Sequence, residues 1–122
     1  MNVLLWIVQV LLAAIFLASG ATKVTMSKPR MIATGQTGVA PFPLPVIRLA
    51  AVAEILAAVG LVLPAATGVA AVLTPLAALG LMIVMVGAAA SHASLREYPQ
   101  VGLNALLFAL ALVVVVGRLA EG

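Results

Sequence analysis

Four long apolar runs, Val3–Ala21, Val46–Leu63, Val69–Ala90 and Val101–Gly117, leave this chain few ways to fold. Each falls within the roughly 17–25 residues that carry an α-helix across the hydrocarbon core of a bilayer. A strand in lipid leaves its backbone groups unpaired unless a closed barrel forms, and the alternating pattern of barrel strands is absent. The prediction is all-α: a polytopic membrane protein, a four-transmembrane-helix bundle, in a single membrane domain over 1–122. Charged residues make up 7% of the chain, against about 25% in soluble domains, which excludes a water-soluble globule.

The first run reads as a retained helix rather than a cleaved leader. Met1-Asn2 supplies no basic residue, and the apolar stretch exceeds the roughly 7–15 residues of a signal peptide. Between the second and third runs, Pro64-Ala65-Ala66-Thr67-Gly68 predicts a helix ended by Pro64 and a tight turn freed by Gly68. Those helices are then antiparallel neighbours. The first loop, 22–45, is rich in proline and glycine, so no continuous helix crosses it. Its end, Pro41-Phe42-Pro43-Leu44-Pro45, is expected to be extended and stiff. Its apolar character suggests a segment at the interface or folded back over the bundle, against the alternative of an exposed linker. Pro75 is expected to kink the third helix and free the carbonyl of Ala71.

Lys23, Lys28, Arg30 and Arg48 lie in or beside the first loop, and Arg96 lies in the third loop, on the same side. Arg118 lies opposite. The positive-inside rule puts loops 22–45 and 91–100 in the cytoplasm and both termini outside. The net charge of +3 comes from these few loop residues. No basic run with interleaved aromatics exists, which argues against a nucleic-acid partner; the lipid bilayer is the expected surroundings.

The chain has no cysteine and one histidine. It can supply no disulfide, thiol nucleophile, iron–sulfur ligand set or bis-histidine haem site, and no metal set is visible. Any redox chemistry belongs to a partner or to a bound organic cofactor. No nucleophile–base pair and no paired carboxylates appear, so a catalytic activity of its own is not expected.

Against this background Glu54 stands out, in the middle of the second span. A charge at the centre of a membrane helix costs roughly 2.5–3.5 kcal/mol. The up-down path gathers Lys23, Arg48, His92 and Asn104 at one end of the bundle, with Glu54 roughly 12 Å along its helix from that end. Arg48 is turned about 240° from Glu54 and is a poor partner. Lys23, Asn104 and His92 are the candidates, unranked. The small residues around Glu54, Ala50, Ala53, Ala57, Ala58 and Gly60, let neighbouring backbones approach and turn the carboxylate inward. Glu54, Lys23, His92 and Asn104 therefore form the candidate ligand-binding cluster, against the plainer reading that they only fix helix register. Arg48, Trp6 and Tyr98 read as interfacial anchors; Met82 and Met85 read as packing.

Three stretches, "FLASGATKV", "AVAEILAAVGLVLP" and "VGAAASHASLREYPQVGLNALL", together resemble the DoxX-like family of small bacterial membrane proteins. The resemblance rests on Gly20 and Lys23, on Glu54 ahead of Gly60 and Pro64, and on Gly87 ahead of His92. It implies a four-helix protein of the bacterial cytoplasmic (inner) membrane, acting as an accessory subunit, with some relatives associated with membrane redox complexes. An alternative is a binder of a small lipophilic ligand, a quinone or lipid held near Glu54. A proton-coupled small-molecule transporter is the weaker third reading. A complex partner or a second copy is an expected protein contact.

Overall fold

The structure is a computed structural model and describes residues 2–121. Its regular elements are all helical: α1 (Asn2–Thr25), α2 (Lys28–Ala33), a 3₁₀ turn (Thr37–Val39), α3 (Leu44–Thr67), α4 (Leu73–Ser94) and α5 (Tyr98–Glu121). Four of them, α1, α3, α4 and α5, are long and apolar enough to cross a membrane. At about 1.5 Å per residue they are somewhat longer than a hydrocarbon core of about 30 Å. α1 packs on α3 and α5, and α4 packs on the same two, which closes a ring; the α1–α5 seam is the loosest.

Burial is divided as a bilayer requires. Leu12, Phe16, Leu61, Ala78, Leu81 and Val114, from all four long helices, pack in the shared core. Large apolar side chains such as Ile7, Leu49, Ile83 and Val116 point outward and are exposed. In water that surface would drive aggregation; in lipid it carries no penalty. The chain is a multi-pass membrane protein with an all-helical fold.

Two expectations about proline are corrected. Pro64 does not end its helix, because α3 continues to Thr67 and stops at Gly68, whose φ of 73° closes it in the left-handed region. Proline removes the hydrogen bond that Gly60 O would receive. Thr74 Oγ1 on α4 replaces it at 2.9 Å, and Gln9 Nε2 on α1 donates to the adjacent Leu61 O at 2.5 Å. With these carbonyls satisfied from neighbouring helices, the backbone has no reason to unwind.

Pro75 produces no mid-helix kink. Residues 69–72 form a turn and α4 starts at Leu73, so Pro75 sits in the first turn, where its missing N–H has no intrahelical acceptor to lose. The Ala71 carbonyl is not freed either, since it accepts from Thr74 N at 3.1 Å.

The first loop folds back over the bundle. Met31, Val39 and Ile47 bury together, with Met26 and Phe42 against them. Gly35 takes a φ of 105°, a turn that suits glycine alone, between α2 and the 3₁₀ turn. The tail is not extended as expected: Ala40 and Pro41 form a turn, with Phe42 N returning to the Val39 carbonyl at 3.0 Å. Only Pro43 has an extended backbone, and Leu44 and Pro45 already belong to the first turn of α3, where proline is tolerated. Residues 26–43 thus form a strap across one end of the four long helices.

Candidate functional site

Close approach of α1 and α3 builds the site. A Cβ on Gly20 would lie 2.7 Å from Ile55 Cγ1 and 2.8 Å from the Ala51 carbonyl, so only glycine lets these backbones meet there. Ser19 and Lys23, four residues apart, share one face of α1. Both reach Glu54: Lys23 Nζ lies 2.9 Å from Oε1 and Ser19 Oγ donates to Oε2 at 3.0 Å. Glu54 is 1% exposed and Lys23 20%, so the ammonium side of the pair keeps some contact with the outside. Arg48 donates to the Lys23 carbonyl at 2.6 Å. It ties the start of α3 to the last turn of α1.

His92 and Asn104 are not bonded to Glu54. His92, in the last turn of α4, has its Nδ1 2.9 Å from Glu97 Oε1. The local backbone arranges this contact. Arg96 adopts a φ of 59°, and Glu97 N then returns to the His92 carbonyl at 2.8 Å. Thr37 Oγ1 of the strap donates to Glu97 Oε2 at 2.6 Å. The Thr37 hydroxyl, then His92, hold the Glu97 carboxyl below the usual carboxylate range, outweighing partial burial. Gly38 sits against the His92 ring so closely that an added Cβ would come within 2.7 Å of Nε2. Ser91 Oγ donates to the Gly38 carbonyl and closes the strap on α4.

Between the strap and the four long helices lies a cavity of about 460 Å³. Glu54, Lys23, His92 and Asn104 all line it, from α1, α3, α4 and α5. Most of its wall is apolar and includes Phe16, Val39, Ile47, Met85 and Leu107. Ile15 and Leu103, 37% and 55% exposed, also belong to the wall. Two polar atoms of lining residues are buried without a hydrogen-bond partner: Asn104 Nδ2 and Gln36 Oε1. Gln36 uses its other end on Thr22 Oγ1, at 2.5 Å.

The opposite end of the bundle carries a separate network. Arg118 Nε donates to Gln9 Oε1 at 2.6 Å, and its guanidinium stands 5.3 Å from the centroid of the Trp6 ring. Trp6 and Tyr98 lie near opposite ends of the bundle; Tyr98 is the first residue of α5 and is exposed.

Sequence reasoning missed Ser19, Gln36 and Glu97. Ser19 had a legible signal, since its spacing from Lys23 puts both on one helix face. Glu97 and Gln36 had none, because a turn and a folded-back loop bring them in.

No curated protein and no solved structure matches the chain. The sequence profile of the DoxX-like family matches residues 7–114, a range that takes in α3 and α4 whole, most of α1 and α5, the strap and every lining residue named above. The chain belongs to the DoxX-like family.

Proposed function

We propose that this protein is a multi-pass component of the bacterial cytoplasmic membrane that holds a small lipophilic molecule, a quinone or a lipid, in the cavity around Glu54. The observation that carries this reading is the cavity itself: apolar walls, a few convergent polar groups, and a place among four helices long enough to cross a bilayer. Its volume of about 460 Å³ falls in the range of roughly 300–1,000 Å³ typical of small-molecule sites. The ion pair sits at one end of an apolar space, as a site for a molecule with a polar head and greasy tail requires. The basic residues beside the strap and in the α4–α5 turn favour a cytoplasmic strap and external termini.

A second reading, an accessory subunit of a membrane redox complex, has its own support. Gly80 on α4 and Gly102 on α5 are exposed, with nothing within 4 Å of where a Cβ would stand. Outward-facing small residues suit close docking of another membrane helix.

Native mass spectrometry of protein gently extracted from its own membranes tests both. A stoichiometric small lipophile that disappears in Ala50→Phe, which fills the cavity, supports the first reading. A stoichiometric protein partner with no small molecule supports the second and overturns the first.

A further inference from the structure

The chain has six lysine and arginine side chains and three carboxylate side chains, and the two sets are unevenly matched. All three carboxylates are engaged: Glu54 by Lys23, Glu97 by His92 and Thr37, and Glu121 by Arg118 at the far end of the bundle. The other four cations, Lys28, Arg30, Arg48 and Arg96, all belong to the strap end. Among the described residues none of them forms an ion pair. Lys28 and Arg48 each donate at 2.6 Å to a backbone carbonyl, that of Phe42 and that of Lys23. Such bonds hold the cations in place and leave their charge uncompensated. Arg30 on α2 and Arg96 in the α4–α5 turn are exposed. The surface between these charges is apolar, since Ile32, Leu44, Leu95 and Tyr98 are exposed there. Cations interleaved with exposed apolar side chains, at the ends of membrane-spanning helices, suit the boundary between headgroups and acyl chains. A soluble acidic polypeptide would answer the charge and leave the apolar side chains in water.

We propose that the strap end of the bundle is a docking surface for anionic phospholipids, which it gathers from the surrounding leaflet. Charge complementarity fixes the partner: a headgroup of net negative charge supplies the counter-charges that the chain lacks. Three of the four cations are arginines, whose planar fork matches phosphate oxygens. They come from α2, α3 and the α4–α5 turn, so the surface runs around the end of the bundle and is no single pocket. The opposite end has no such surplus, because Arg118 lies 2.8 Å from Glu121. The proposal depends neither on what the cavity holds nor on which leaflet the strap faces.

Tryptophan quenching by brominated lipids tests it, since each end of the bundle can carry its own reporter. The one tryptophan of the chain, Trp6, stands beside Arg118; Trp6→Phe combined with Tyr98→Trp moves it to the strap end, at an exposed site next to Arg96 and Glu97. Full-length protein is placed in nanodiscs that mix phosphatidylcholine with phosphatidylglycerol, one or the other brominated high in its chains. At the strap end phosphatidylglycerol is expected to win by about fivefold, equivalent to about 1 kcal/mol. At Trp6 the two lipids should quench alike. Arg30→Gln with Arg96→Gln should remove the preference without lowering the melting temperature, because both side chains are exposed and outside every ion pair. If Arg96, whose φ is 59°, tolerates no substitution, Arg30→Gln carries the test alone with a smaller drop. Equal quenching by the two lipids at the strap end, the same preference at both ends, or a preference unchanged in the variants would overturn the proposal. Soluble polyglutamate that binds the strap end while the lipids quench equally would overturn it in favour of an acidic polypeptide.

Discussion

Lys23 Nζ and Glu54 Oε1 meet at 2.9 Å across α1 and α3, 31 positions apart in the chain. With Ser19 on the second carboxylate oxygen, the pair leaves no bare charge inside the bundle. Removing one member is therefore worse than removing both. Lys23→Met leaves a buried carboxylate alone and is expected to destabilise by about 3–5 kcal/mol. Lys23→Met with Glu54→Gln should recover most of that loss. Thermal unfolding in detergent, read by size-exclusion chromatography, measures the difference; a double variant no more stable than Lys23→Met contradicts the pairing.

Gly20 sets the distance at which that pair can form. Gly20→Ala must push α3 away or displace Ile55, since the Ala51 carbonyl is backbone and cannot rotate aside. Overpacking of this kind costs about 1–3 kcal/mol. The same melting assay should show the loss, and combining Gly20→Ala with Lys23→Met should cost less than the sum, because separating the helices already weakens the pair.

Thr74 and Pro64 should be coupled. Thr74→Val strips the Gly60 carbonyl of its replacement donor, with an expected loss of about 1–3 kcal/mol. In Pro64→Ala the backbone N–H at 64 is present and can serve Gly60 itself. Thr74→Val should then be nearly neutral in the Pro64→Ala background. A double-mutant cycle with no interaction energy would show that Thr74 does not compensate for the proline.

The strap is tied down by a carboxylate whose titration has a definite sign. The Glu97 carboxyl lies below its ordinary value in the folded protein, chiefly through Thr37 and then His92. The folded state therefore binds fewer protons there than the unfolded one, and the contribution rises with pH. It is fully present above the ordinary carboxylate value of about 4.3 and is lost as pH falls through the lower folded value. Protection from hydrogen exchange at residues 35–39, taken relative to the intrinsic rate at each pH, should fall as the solution is acidified through that window, and Glu97→Gln should abolish that fall. Protection that is flat across the window in the unaltered protein would refute it.

Membrane orientation can be read directly, because the chain has no cysteine of its own. Ser27→Cys lies in the strap and Thr67→Cys at the opposite end of α3, both exposed. A membrane-impermeant maleimide should label Thr67→Cys in intact cells and Ser27→Cys only after permeabilisation. The reverse pattern would place the strap outside.

The family and the four spans were legible because each depends on local sequence: a run of about 20 apolar residues specifies a membrane helix wherever its neighbours lie. The apolar loop between Lys23 and Arg48 likewise announced, as one of its readings, a segment folded onto the bundle. The partner of Glu54 was not legible. Lys23, His92 and Asn104 sit at the same end in any up-down path, and choosing among them needs the relative rotation and axial offset of the helices, which Gly20 sets by contact with Ile55 and Ala51. Pro64 shows the same limit from the other side. Proline's local preference is to end a helix, and it was overruled because Thr74, from another helix, supplies the donor that Gly60 loses to the proline. Sequence determined what each segment is; tertiary packing decided which polar groups meet, because hydrogen bonds and ion pairs depend on distances of a few ångströms between elements that no local pattern encodes.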